Sequence, residues 1–279
     1  MPASAPRRSP GRRPARRTGP SVVVGIVAAL GLALLVLPLV AVLLRAPWGS
    51  LAALVVRPEV GQALWLSLST GVVTTALSLV LGVPLAIVLA RAEAWPAVPR
   101  RLLRAAVTIP LVLPPVVGGI ALLMLLGRNG VLGRYLADVG ITLPFTTPAV
   151  VIAQTFVAMP FLVFAVEGAL RASDRRMEGA AVTLGATPFQ VFRLITVPAV
   201  APGIAAGAVL CFARALGEFG ATITFAGSFP GVTRTLPIAS YLALESDPDE
   251  AIALALVLLV VSVAVLLALR DRWLPGVRG

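Results

Sequence analysis

The chain has 279 residues, 58% of them hydrophobic and 13% charged, with a formal net charge of +11. A soluble domain holds roughly 45–50% apolar residues, so this balance excludes a water-soluble fold and marks an integral membrane protein with one membrane domain. One cysteine and no histidine argue against a disulfide framework and a transition-metal site of ordinary type. The sequence contains no lysine, which excludes a P-loop, because that motif holds nucleotide phosphates with a lysine.

In chain order, residues 1–20 form an Arg/Pro-rich tail, expected to be disordered and to carry no fold information. The apolar run that follows is too long for a signal peptide and lacks a small-x-small cleavage site, so it is read as a retained membrane span. Six runs are long enough to cross a ~30 Å hydrocarbon core as helix: 21–44, 62–90, 105–126, 147–170, 199–227 and 251–269. The membrane domain therefore occupies 21–271, and 272–279 is a short tail.

Arginine gives the orientation. The N-terminal tail holds Arg7, Arg8, Arg12, Arg13, Arg16 and Arg17. The 91–104 loop and the 171–193 segment hold four arginines each, and the C-terminal tail holds three. The alternate side holds only Arg45, Arg57, Arg128, Arg134 and Arg234, with an acidic loop at Glu245, Asp247, Asp249 and Glu250. By the positive-inside rule both termini are expected in the cytoplasm. The positive charge is assigned to topology and anionic lipid headgroups, and no nucleic-acid partner is expected.

Span 2 carries Ser67, Gly71, Thr74, Ser78 and Gly82 along one stripe. Small and hydroxyl residues at that spacing let helices approach closely in lipid, so a packing role is preferred to pore lining. Pro84 is expected to kink this span. Pro110, Pro114, Pro115, Gly118 and Gly119 break span 3, and broken backbone in a membrane must face protein or a cavity. Cys211, inside span 5, is read as a small buried hydrophobe.

Between spans 4 and 5 lies "RASDRRMEGAAVTLGATPFQVFRLITVP", residues 171–198, too polar to cross the membrane. Met177, Ala180, Ala181 and Leu184 fall on one helical face. Ser173 or Asp174 suits the N-cap of a helix starting near Arg175, and Gly185 suits its left-handed C-terminal residue. Thr187 and Pro188 read as N-cap and first residue of a second short helix, with Pro198 opening span 5. The pattern alone fits two readings, an interfacial helix lying on the headgroups and a hairpin that engages another protein.

The spacing Ala180-Ala181, Gly185, Ile195 and Pro198 resembles the EAA loop of ABC importer permeases. That family's glutamate falls on Gly179 here, and the acidic residue stands one place earlier, at Glu178. The resemblance implies that 173–198 is a coupling loop docking onto a separate ATPase, with Arg175, Arg176, Glu178, Gly179, Ala180, Ala181, Gly185 and Pro188 as the coupling residues. ATP would bind that partner, and this chain itself would need no cofactor or metal and perform no catalysis.

Span 5 and its extension, "FARALGEFGATITFAG" at 212–227 and "PGVTRTLPIASYLA" at 230–243, resemble the permease subunits of molybdate ABC importers. Sulfate and tungstate permeases share a looser version. The resemblance implies an all-α permease fold of six spans, a homodimer with an anion path at its two-fold axis, an ATPase dimer and an extracytoplasmic binding protein.

Arg214 and Glu218 lie i,i+4 within this apolar run. A charge in mid-membrane costs about 2.5–3.5 kcal/mol on insertion scales, so the two are expected to face protein or water near each other. With Thr222, Thr224 and Ser228 they are candidates for the translocation path, the alternative being a structural ion pair. Two rival readings are a proton-coupled carrier using Glu218, with Glu167 as another titratable group, and a membrane scaffold that transports nothing.

Overall fold

A computed structural model describes residues 22–174 and 176–273, with side chains to residue 265 and at Leu267. Residues 1–21, which include the Arg/Pro-rich tail, Arg175 and residues 274–279 lie outside the described residues. All regular structure among the described residues is helical. Two compact units divide the chain, one ending at Arg45 and the other beginning at Ala46.

The first unit contains one described helix, α1 (Val22–Leu44), 23 residues with no buried side chain. Apolar residues on every face are what a helix surrounded by lipid requires.

The second unit holds the remaining helices. They are α2 (Leu51–Val55), α3 (Pro58–Arg91), α4 (Ala97–Val112), α5 (Pro115–Leu126), α6 (Gly133–Asp138), α7 (Thr147–Ala172), α8 (Arg176–Thr183), α9 (Pro188–Val191), α10 (Val197–Leu216), α11 (Gly220–Ala226), α12 (Leu236–Ser246) and α13 (Pro248–Trp273). A 3₁₀ turn, Ala92–Ala94, follows α3, and a π turn, Phe192–Thr196, joins α9 to α10.

Among the described residues, five helical segments are long and apolar enough to cross a membrane, and α4 with α5 supplies a sixth only as a pair bent by 116°. The expected break in span 3 is thus a sharp corner. Its cause is the Pro114-Pro115 pair. A residue before proline is pushed out of the helical region, and both Leu113 (ψ 130°) and Pro114 (ψ 132°) are extended. Pro115 then starts α5, where its missing N–H costs nothing. Pro84, by contrast, lies within the unbroken 34 residues of α3.

The centre of this unit is α7, packed between α3 and α10. Leu89, Leu162, Val163, Val166, Val200 and the buried Cys211 form its main apolar core. The stripe on α3 is buried, as the packing reading requires. The Phe212 ring lies 3.0 Å from where a Cβ on Gly71 would sit, and Leu162 crowds Gly82 at the same distance. Thr74 donates to Gln154 of α7 at 3.0 Å, and Ser67 accepts from the Leu236 amide at 2.7 Å. Arg57, before α3, pairs with Glu250 at 2.6 Å and fixes the α12–α13 corner.

The sequence pattern gave no notice of α2, α6 or α12. Each is short, and α12 lies in what reads as the loop between spans 5 and 6.

Candidate functional site

The 173–198 segment forms a helical hairpin, with one change to its second arm. Asp174 accepts a hydrogen bond from the Arg176 amide at 2.9 Å and opens α8. Its end is a left-handed turn. Gly185 has φ +85°, its N–H donates to Val182 O, and the Ala186 N–H reaches back to Ala181 O, both at 3.0 Å. This paired closure satisfies the last carbonyls of the helix and needs glycine at the turn.

Thr187 and Gln190 form a reciprocal capping box, with Pro188 at the first helical position. Where a separate second helix was expected, α9 continues through the π turn into α10, and Pro188–Leu216 is one 29-residue helical segment. Pro198 lies in the first turn of α10, as expected, with the π turn joining that start to α9. The hairpin is therefore a short helix folded against the root of a spanning helix.

The outer surface of this hairpin is apolar. Met177, Val182, Leu184 and Phe189 are exposed. A cleft of about 360 Å³ runs between the arms, lined by Ala181, Leu184, Gly185, Gln190, Val191 and Leu194. Gly179 and Ala180 are also exposed and present little side chain. Glu178 turns the other way and accepts a 2.6 Å hydrogen bond from Thr196 of the π turn. Arg176 is exposed.

The second candidate region lies in the long helix leading from the hairpin. The helix breaks at Gly217, and α11 begins only at Gly220. Glu218, 1% exposed, occupies the break. One of its carboxylate oxygens accepts from the Ala221 amide at 2.9 Å, and the other faces the Arg214 guanidinium at 2.6 Å. The expected proximity of Arg214 and Glu218 is thus a direct ion pair at a buried helix start, where Glu218 also meets the Ala221 amide.

This break is packed on the corner in span 3. A Cβ on Gly220 would meet Pro115 at 2.9 Å, and one on Gly119 would meet the Ala221 carbonyl at 2.8 Å. The glycines let the two interrupted helices touch backbone to backbone. Around them, Thr222 is fully buried, Thr224 donates to the Gly220 carbonyl of its own helix, and the Ser228 carbonyl accepts from Arg234.

One constellation was not recognised from the sequence. Glu167 of α7, 3% exposed, receives both Arg104 of α4 and Arg171 one turn on, and Arg171 also holds Glu93 at 2.5 Å. The i,i+4 spacing of Glu167 and Arg171 was visible, but the partners on α4 and on the turn after α3 are 63 and 78 residues away in sequence.

Residues 82–278 match the model of the family described as "Binding-protein-dependent transport system inner membrane component". The chain is 49% identical over 245 residues to the molybdenum transport system permease protein ModB of Mycobacterium tuberculosis, covering 88% of this chain and 92% of that one. It is 42% identical over 214 residues to the protein of the same name from Escherichia coli, covering 76% and 92%. Among solved structures, a bacterial ABC transporter involved in import of the acidic polysaccharide alginate superposes with a TM-score of 0.70 at 18% identity, covering 92% of this chain and 96% of that one.

Proposed function

The chain belongs to the family of inner-membrane components of binding-protein-dependent transport systems, and from that premise we propose that it is the permease subunit of an ABC importer for molybdate. The observation that carries the coupling role is the hairpin. A rigid, capped helix with an apolar outer face is folded onto the root of the helix that leads to the Glu218 break. Docked in a groove of a separate ATPase, it would pass the ATPase's closure to α7 and α10 as rigid-body motion.

The substrate follows from relatives at 49% and 42% identity named as molybdenum transport permeases. This subunit performs no chemistry. An external binding protein selects among tetrahedral dianions, and the path offers only transient contacts, since a deep well would trap the ion. Two copies of the chain enclose that path, two ATPase subunits dock on their hairpins, and the arginine distribution supports cytoplasmic termini.

The pairing of the buried carboxylates weighs against a proton-coupled carrier. Glu218 is engaged by Arg214 and the Ala221 amide, and Glu167 by two arginines, which suits structural roles for both. The test is uptake of radiolabelled molybdate into vesicles holding this chain. Uptake that requires the ATPase, ATP and the binding protein supports the reading. Uptake on a proton gradient without the ATPase overturns it.

A further inference from the structure

We propose that Glu178 is a positioning residue: its bond to Thr196 is a strut that fixes the coupling helix against the root of the spanning helix. The proposal rests on the permease reading for its consequence in transport, while the strut itself is a property of this chain alone.

The geometry is specific. Thr196 is 3% exposed and is the last residue of the π turn. In an ordinary α-helix a threonine hydroxyl turns back to the carbonyl four residues earlier. The wider π turn instead brings the Thr196 hydroxyl within 3.4 Å of Val191 O, five residues back, and aims it at Glu178 at 2.6 Å. A π turn of this kind is rare and recurs at functional positions.

Glu178 also lines a cavity of about 240 Å³ with Arg91 and Ser173, between the ends of α3 and α7. Its carboxylate therefore points into the protein and away from the apolar outer face of the hairpin. The Gly185 turn leaves α8 joined to α9 by a short backbone hinge, and the strut closes that hinge from the opposite side. An acidic residue one place earlier than the resemblance predicts is thereby used within the chain.

The strut is tested by hydrogen exchange on the full-length chain in lipid nanodiscs, using Glu178→Ala, Thr196→Val, the double variant, and Glu178→Gln, which keeps an acceptor. A hydrogen bond to a charged group is strong enough that its loss speeds exchange of the α8 amides by about tenfold. The two single variants should match, the double should be no faster than either, and Glu178→Gln, whose neutral acceptor is weaker, should fall between wild type and Glu178→Ala. Unchanged α8 exchange in Thr196→Val, or effects that add in the double variant, overturns the strut.

The transport consequence is read as molybdate taken up per ATP hydrolysed with the partner ATPase and binding protein. That ratio should fall in Thr196→Val and Glu178→Ala and recover in part in Glu178→Gln, with ATPase binding unchanged. A Glu178→Ala variant that loses ATPase binding while Thr196→Val keeps it places Glu178 at the partner interface and contradicts the proposal. If wild type shows no ATP-driven uptake, the permease reading fails, and exchange still decides the strut.

Discussion

The two candidate regions sit at opposite ends of one helical segment, Pro188–Leu216, and differ in what holds them. The hairpin at 173–198 is exposed and shaped by its own backbone: an Asp cap, a left-handed glycine and a capping box, all made between residues five or fewer apart. The Glu218 break is buried and shaped by its neighbours. Its ion pair and its bond to Ala221 are local, but the backbone contacts of Gly220 with Pro115 and of Gly119 with Ala221 seat it on another interrupted helix. A surface element that must engage a partner benefits from local rigidity, because its outer face stays free. An interrupted helix in the membrane has no water to meet its freed backbone groups, and here Glu218 meets the Ala221 amide.

The comparison breaks first at Glu218. Glu218→Ala leaves Arg214 beside a buried break without its counter-charge, and the loss of stability is expected to be about 3 kcal/mol, read by thermal unfolding in detergent. Replacing both residues by leucine should restore most of it, since an uncharged pair has no unmatched charge. Uptake by that stable double variant then sorts the roles: retained uptake identifies a structural pair, and lost uptake places the pair on the translocation path.

A somewhat smaller effect is expected at the contact between the two interrupted helices. Gly119→Val forces side-chain atoms against the Ala221 backbone and should cost about 1–3 kcal/mol by overpacking, measured by the same unfolding. The hairpin should be indifferent, with its exchange pattern unchanged. Smallest of all is Glu93→Ala. Glu93 and Arg171 are both substantially exposed, at 55% and 40%, and such pairs contribute roughly 0–1 kcal/mol. Salt titration of the wild type should leave stability flat on the same scale.

The same division governs how much was legible in the sequence. The hairpin's Asp174, Gly185, Thr187 and Pro188 act on their immediate neighbours, so their roles could be read from residue type and order. The corner after Leu113 was equally readable, because adjacent prolines exclude helix by sterics alone. Arg214 and Glu218 were expected to meet because i,i+4 spacing brings them together on a helix.

What was not legible depends on contacts across the fold. Glu167 looked like a free titratable group until Arg104 was found on it. Thr196 carried no signal, because its partner lies 18 residues away and its aim depends on a π turn. The continuity of α9 with α10 was also missed, since Pro198 reads as a boundary whether it starts a helix or merely sits in an early turn. Short α12 was invisible for a similar reason: packing on α13, with Ser240 donating to Ala251 O at 3.1 Å, holds a segment whose pattern is otherwise that of a loop.

If the hairpin transmits ATPase closure to the spanning helices, Gly185→Pro should uncouple the two. Proline cannot adopt φ +85° and lacks the N–H that closes α8 on Val182. In liposomes with the ATPase and the binding protein, the measurement is binding-protein-stimulated ATP hydrolysis alongside molybdate uptake. The account predicts that the variant inserts normally but loses both the stimulation and the uptake; wild-type stimulation and uptake in Gly185→Pro would contradict it.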